Sequence, residues 1–234
     1  MMKIFSTLVG MLLLTQMVSA ATPIGTYYQI NVTNQAAVVA ALDAYANSPT
    51  GQKNPAELTL FRIMSNGSNP ATHAISVYFA SAEDMDRSRA LNMASEDFAE
   101  MQASMAVAMT PVSESLFRGT GISAGSRAAI TSDNPVARFI LMDVQDPAAY
   151  VAAWTKMMAS RDSDLPLSLN QIIAAGTADT SHVVSIAANN VAEMMAEADA
   201  NQGNPAWAEF LASVDGIRTI EDDALVMRVK TWAN

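Results

Sequence analysis

The sequence predicts an α+β protein in which one β-α-β-β-α-β pattern is written twice. Three observations carry this. First, ATHAISVYFASAEDM (71–85) returns as TSHVVSIAANNVAEM (180–194), so His73, Ser76 and Met85 meet His182, Ser185 and Met194 at a spacing of 109 residues. Second, strand-like and helix-like hydrophobic periods follow one another in the same order in both halves. Third, each half interrupts its second helix at the same place, at Ser95 and again at Asn204-Pro205.

Each element has a local reason. TYYQINV (26–32) is aromatic and β-branched and reads as a strand. Asn34 is a suitable N-cap for QAAVVAALDAYANS, whose apolar residues recur at helical spacing. SPTGQKNP is a turn-rich loop. ELTLFRIM and THAISVYF, joined by a turn at NGSNP, form a hairpin. Ser81 with Asp84 is a capping box for the second helix. After the break near Leu91 the helix restarts as EDFAEMQASMAVAM, and Pro111 is expected to stop it. SESLFRG is the last strand of the first half.

The second half repeats the scheme. ARFILMDV is a strand, and Asp146 caps a helix with Pro147 at its first position. LSLNQIIAA and SHVVSIAA make the hairpin, and Asn190 with Glu193 repeats the capping box. ALVMRVKTW is the final strand. The first helices align at an offset of 112 rather than 109, which a three-residue deletion in the following loop explains. This is the split βαβ, or ferredoxin-like, order. Such a four-stranded sheet has helices on one face only. Two copies in one chain can bury their bare faces against each other as a barrel of antiparallel sheets.

The expected organisation is a signal peptide at 1–20, a first repeat at 21–118, a linker at 119–136 and a second repeat at 137–234. The signal rests on Lys3, the short apolar run IFSTLVGMLLL and the small-residue pattern VSA before Ala21. It places the protein in the periplasm or outside the cell. The linker is GTGISAGSRAAITSDNP (119–135), rich in Gly, Ser and Ala.

Half the residues are hydrophobic, so a sizeable core is within reach. Cysteine is absent, which excludes thiol catalysis and disulfides. The net charge is −10 with only four lysines, so neither nucleic acid nor an anionic membrane surface is an expected partner. No stretch after residue 20 is long and apolar enough to cross a bilayer, so an integral membrane protein is not expected. The repeats pair within one chain, which makes a monomer the expectation.

In this order of elements the chain resembles the dimeric α+β barrel superfamily in its fused tandem-repeat form. It is distantly similar to antibiotic-biosynthesis-type monooxygenases. The resemblance covers nearly all of the mature chain. It is carried by element order, by the broken second helix, and by the aromatic residue in that helix, Phe98 and Trp207. No catalytic motif carries it. It implies two ferredoxin-like units paired into an eight-stranded barrel, with ligands often between sheet and helices. Haem-degrading relatives keep haem open as a cofactor. Cofactor-free oxygenases of the group work with polar side chains such as Asn, Trp and Tyr.

The residues themselves single out no reaction. His73 and His182 are the only histidines and occupy equivalent positions. A base, metal or haem ligand is one reading, and local hydrogen bonding at a strand start is the plainer one. Ser76 and Ser185 fall on the opposite strand face from these histidines, which disfavours a Ser-His pair. Tyr27, Gln29 and Asn31 alternate along the first strand. The counterpart of Arg62 in the second repeat is Gln171 and that of Tyr78 is Ala187, and these differences make the first repeat the better site. Met101, Met105 and Met109 recur at helical spacing and read as core rather than as copper ligands. The candidate ligand-binding set is therefore Asn31, Arg62, His73, Tyr78, Phe98, His182 and Trp207. No metal site and no cofactor are expected from motifs. The expected partner is a small apolar or aromatic molecule. Three functions stay open: a small-molecule-binding barrel, a cofactor-independent monooxygenase or isomerase, and a structural barrel without ligand.

Overall fold

A computed structural model describes residues 22–233, so the signal peptide expected at 1–20 lies outside the described residues. The first repeat runs β1 (Ile24–Val32), α1 (Gln35–Asn47), β2 (Glu57–Ser65), β3 (His73–Phe79), α2 (Ala82–Met93), α3 (Glu96–Ala106) and β4 (Met109–Ala124). The second runs β5 (Val136–Val144), α4 (Pro147–Met158), β6 (Leu167–Ala174), β7 (His182–Ala188), α5 (Val191–Gln202), α6 (Pro205–Val214) and β8 (Arg218–Trp232). The eight strands close into one antiparallel barrel in the order β1-β3-β2-β8-β5-β7-β6-β4. Each repeat contributes the ferredoxin-like set of four. The joins are β2 to β8 and β4 to β6, so among the described residues no strand is left as an edge.

Local chemistry explains the helix ends. Asn34, Ser81, Ser95, Asp146, Asn190 and Asn204 each accept a hydrogen bond from a first-turn amide. The capping boxes are half formed. Asp84 turns its carboxylate to Arg87 at 2.6 Å, and Glu193 accepts from the Asn189 amide at 2.6 Å, one residue before its cap.

Two elements differ from the sequence expectation. The third helix stops at Ala106, and Met109 opens β4 instead of closing the helix. Pro111 lies within that strand, opposite Ile30, where the register shifts. A proline has no amide hydrogen for the ladder, so a bulge suits it. The first third of the expected linker is also strand. Ser123 and Ala124 pair with Ser168 and Leu167 across a second register break. Without them β6 would present an unpaired edge at that end.

The helices pack outside the barrel. Val38, Leu42, Leu60, Ile75 and Met105 form the core of the first repeat, with Met101 and Met109 packed against it. Tyr150, Trp154, Leu169, Val184 and Phe210 form that of the second. A smaller group, Ala137, Ala224 and Val226 with Phe61, Ile63 and Phe139, lies on inward-facing strand positions. No helix among the described residues is long and apolar enough to cross a membrane.

Candidate functional site

Strand alternation decides what faces the lumen. Along β3, Ile75 enters the outer core, while Ser76 and Tyr78 point inward. The same parity turns inward Tyr27 on β1, Thr59 and Phe61 on β2, Ser115 and Phe117 on β4, Phe139 on β5, and Ser185 on β7. These side chains enclose a cavity of about 210 Å³ inside the barrel. Its walls mix aromatic rings with hydroxyls. Tyr27 lies 5.2 Å from Phe139, and Phe61 meets Phe139 edge-on at 5.7 Å. On the two strands next to Phe139 the Ser185 and Ser168 hydroxyls share a hydrogen bond of 2.7 Å, and Asn170 donates to Ser168 at 3.2 Å.

The Tyr27 hydroxyl is buried and has no hydrogen-bond partner in the protein. Burial, and then the charge of Asp222, pushes its ionisation far above the ordinary tyrosine range. It is a neutral phenol at any physiological pH. The next inward position on β1, Gln29, is tied by Asn69 at 2.9 Å and Ser113 at 2.8 Å. At the other end of the cavity Arg127 donates to both Glu57 oxygens at 3.2 Å and lies 5.2 Å over the Tyr78 ring. Arg127 stands on a short 3₁₀ turn held close to the barrel. Gly125 has φ +71°, and a Cβ there would come within 2.1 Å of the Leu165 carbonyl, so only glycine permits the approach.

A second, smaller cavity of about 60 Å³ lies between the sheet and helices of the second repeat. Trp207 stacks on Phe210 at 5.4 Å, and Arg218 lies 5.5 Å over the same ring. The Trp154 indole nitrogen, buried among these residues, also lacks a partner. Beside it Arg161 and Glu197 form an ion pair at 2.9 Å, with side chains 4% and 16% exposed.

The structure does not bring the seven sequence-selected residues into one site. Tyr78 lines the lumen, and Trp207 the second-repeat crevice. Phe98 packs edge-on against Tyr45 at 5.7 Å. Asn31 is half-buried near the end of β1, and Arg62 is exposed. His73 is buried, its ring nitrogens 2.9 Å from Thr72 Oγ1 and 2.9 Å from Gln35 Oε1. His182 is buried against Tyr150, with Nδ1 3.0 Å from Ser181 Oγ. The first repeat was the expected site, but the helix–sheet crevice described above lies in the second. In the first repeat Met105 belongs to the core between sheet and helices, and Met101 and Met109 pack against it.

These contacts also test haem. The His73 nitrogens are both engaged, and the crevice nearest His182 has room for about two waters. Neither histidine site fits a macrocycle. Among the described residues no group of three or more His, Cys, Asp or Glu side chains could hold a metal ion.

Both histidines titrate below the ordinary value. Burial is the main cause for each. The nearby Arg62 charge lowers His73 further, whereas Asp143 partly opposes the shift at His182. The folded state therefore prefers neutral rings. Below about pH 6.5 the unfolded chain binds protons that the folded chain resists. The contribution is complete above that pH and is lost as pH falls through the depressed folded values. The Tm is expected to drop between pH 7.5 and 5.5, and a His73→Gln/His182→Gln variant to show a flatter profile. An unchanged slope would assign the acid sensitivity to other groups.

No known family model matches the sequence, nor does any curated protein. Solved structures do match. A proposed monooxygenase from Fusobacterium nucleatum aligns with a TM-score of 0.65 at 10% identity, over 92% of this chain and 96% of that one. The chain has the dimeric α+β barrel fold. A proposed monooxygenase from Lactobacillus acidophilus shares the barrel at a TM-score of 0.58 and 14% identity, over 91% and 96% of the two chains. A chlorite dismutase variant from Candidatus Nitrospira defluvii shares it at 0.52 and 9%, over 89% and 92%. At these identities the likeness is one of fold.

Several site residues carried little sequence signal. The hydroxyls of Thr59, Ser115 and Ser168 alternate with apolar residues as solvent-facing positions do. Tyr27 had a signal, since it begins the polar alternation of β1 and its counterpart 112 residues on is Phe139.

Proposed function

We propose that the protein is an exported small-molecule-binding barrel whose ligand occupies the lumen. One observation carries this reading: a cavity of about 210 Å³ inside the barrel is walled by the rings of Tyr27, Phe61, Phe117 and Phe139 together with Ser76, Ser115 and Ser185. Binding sites combine a mostly apolar wall with a few convergent polar groups. A purely structural barrel would fill this space with side chains. Export rests on the signal-like residues 1–20.

The test is titration of the purified protein with toluene, followed by NMR. Shifts confined to Tyr27, Phe61, Phe139, Ser185 and their neighbours are expected. No shifts, or shifts confined to the helix–sheet crevice, would overturn the lumen reading. A second reading, a cofactor-independent oxygenase or isomerase in that crevice, has its own observation: the unpartnered Trp154 nitrogen beside Trp207 and Arg218. Shifts at Trp154 and Trp207 would favour it.

A further inference from the structure

The charged mouth of the lumen narrows the class of molecule that enters it. We propose that the lumen takes a small aromatic amine, with its ring inside the barrel and its ammonium group at Glu57, in the place that the Arg127 guanidinium now fills. This rests on the lumen being the binding site.

The fixed half of the arrangement belongs to the sheet. Glu57 on β2 stands directly opposite Tyr78 on β3, and both side chains line the cavity. Among the described residues that line it, Glu57 is the one acid and Arg127 the one base. The Glu57 side chain is 32% exposed, so its carboxylate is open to a ligand. Asp222, towards the other end, does not line the cavity, and Gln29 and Asn69 donate to it.

The movable half is Arg127. Its guanidinium donates to both Glu57 oxygens at 3.2 Å and lies 5.2 Å from the centre of the Tyr78 ring. A carboxylate beside an aromatic face suits an organic cation, and the protein's own cation already uses it so. The arginine is not locked there. Its side chain is 71% exposed, and an ion pair this open holds its partners weakly. The backbone around it is held instead. The Ser126 amide donates to the Asp164 carbonyl at 2.9 Å, and Asn189 donates to the Ala129 carbonyl at 3.0 Å. The side chain can swing out while the turn stays.

Size and spacing set the rest of the ligand. An apolar cavity of about 150 Å³ holds benzene, so about 210 Å³ takes one ring with a short arm. Inward positions along one strand are about 7 Å apart. Glu57 is one such step from Thr59 and two from Phe61, whose ring meets Phe139. A ring at the level of Thr59, packed on those two, sends an amine on a one- or two-carbon arm back to Glu57. A carboxylate ligand would instead meet a like charge on a rigid strand. The net charge of −10 works in the same direction, drawing cations and repelling anions.

Calorimetric titration with benzylamine, toluene and benzoate tests this on the wild-type protein, Glu57→Gln and Arg127→Ala. Benzylamine is toluene carrying an amine, so the ratio of their affinities isolates the head group. In the wild type that ratio should favour benzylamine, and benzoate should not bind. Glu57→Gln should lower the ratio by at least about tenfold, the value of one hydrogen bond to a charged group. Arg127→Ala should raise it by about fivefold, the upper worth of an exposed ion pair that no longer competes. If toluene binds and the ratio is the same in all three proteins, the amine inference is wrong while the lumen site stands. Benzoate binding tighter than benzylamine, and lost in Arg127→Ala, would make Arg127 the recognising group and overturn the proposal. If neither toluene nor benzylamine binds, the lumen reading falls and this inference with it.

Discussion

Replacing Glu197 by alanine is expected to destabilise the protein by about 3–5 kcal/mol, the range for removing one partner of a buried ion pair. Glu197 Oε1 accepts from Arg161 Nε at 3.1 Å and Nη2 at 2.9 Å. The Arg161 side chain is 4% exposed, so its guanidinium would be left almost dry and uncompensated. Its other contacts do not replace a carboxylate: they run to the Ser163 carbonyl and hydroxyl, each at 3.1 Å. Those bonds hold the loop between α4 and β6, so the loop should loosen as well. The exposed pair Lys156–Glu209 supplies the contrast. Its side chains are 69% and 57% exposed, and Glu209→Ala should cost no more than about 1 kcal/mol. A double change, Arg161→Leu with Glu197→Leu, should recover most of the loss, because an apolar pair of similar bulk needs no charge partner. Urea unfolding of the variants reads all three. A cost below about 1 kcal/mol for Glu197→Ala would mean that water reaches the guanidinium and the pair behaves as a surface pair.

The sequence repeat made the fold legible. His73 and His182, the caps at Ser81 and Asn190, and the helix restarts at Ser95 and Asn204 fall at equivalent places in two equivalent units. Closure of the barrel was less legible, because it depends on strand length. SESLFRG reads as a short strand, whereas β4 runs for 16 residues, its far end disguised by glycines and serines that resemble a linker. The site was the least legible part. Tandem sheets bury both faces, and alternation alone does not say which buried side is packed and which is hollow. Methionines and aliphatic residues fill the outer side of the first repeat, while serines and a threonine leave the inner side partly open. In one sequence such hydroxyls look like a wet face. The Arg161–Glu197 pair spans 36 residues and has no periodic signature at all.

Putting a phenylalanine at Ser76 is expected to abolish toluene binding while leaving the Tm close to that of the wild type. The new ring would project from β3 into the lumen, which has the volume to receive it. Filling an existing void adds apolar contacts without forcing neighbours aside, unlike enlarging a residue in a packed core. The adjacent position makes the opposite case. Ile75 is 5% exposed and faces the first-repeat core beside Leu60 and Met105. Ile75→Phe overfills that core and should cost about 1–3 kcal/mol. Since its side chain never enters the lumen, ligand binding by the folded fraction should survive. The same chemical change, one residue apart, therefore separates loss of binding from loss of stability. If the Ser76 variant still binds toluene as the wild type does, the ligand sits elsewhere, and the crevice at Trp154 becomes the site to follow. If instead Ser76→Phe unfolds and Ile75→Phe is tolerated, the hollow side of the sheet is the helix side, and the lumen is the packed one.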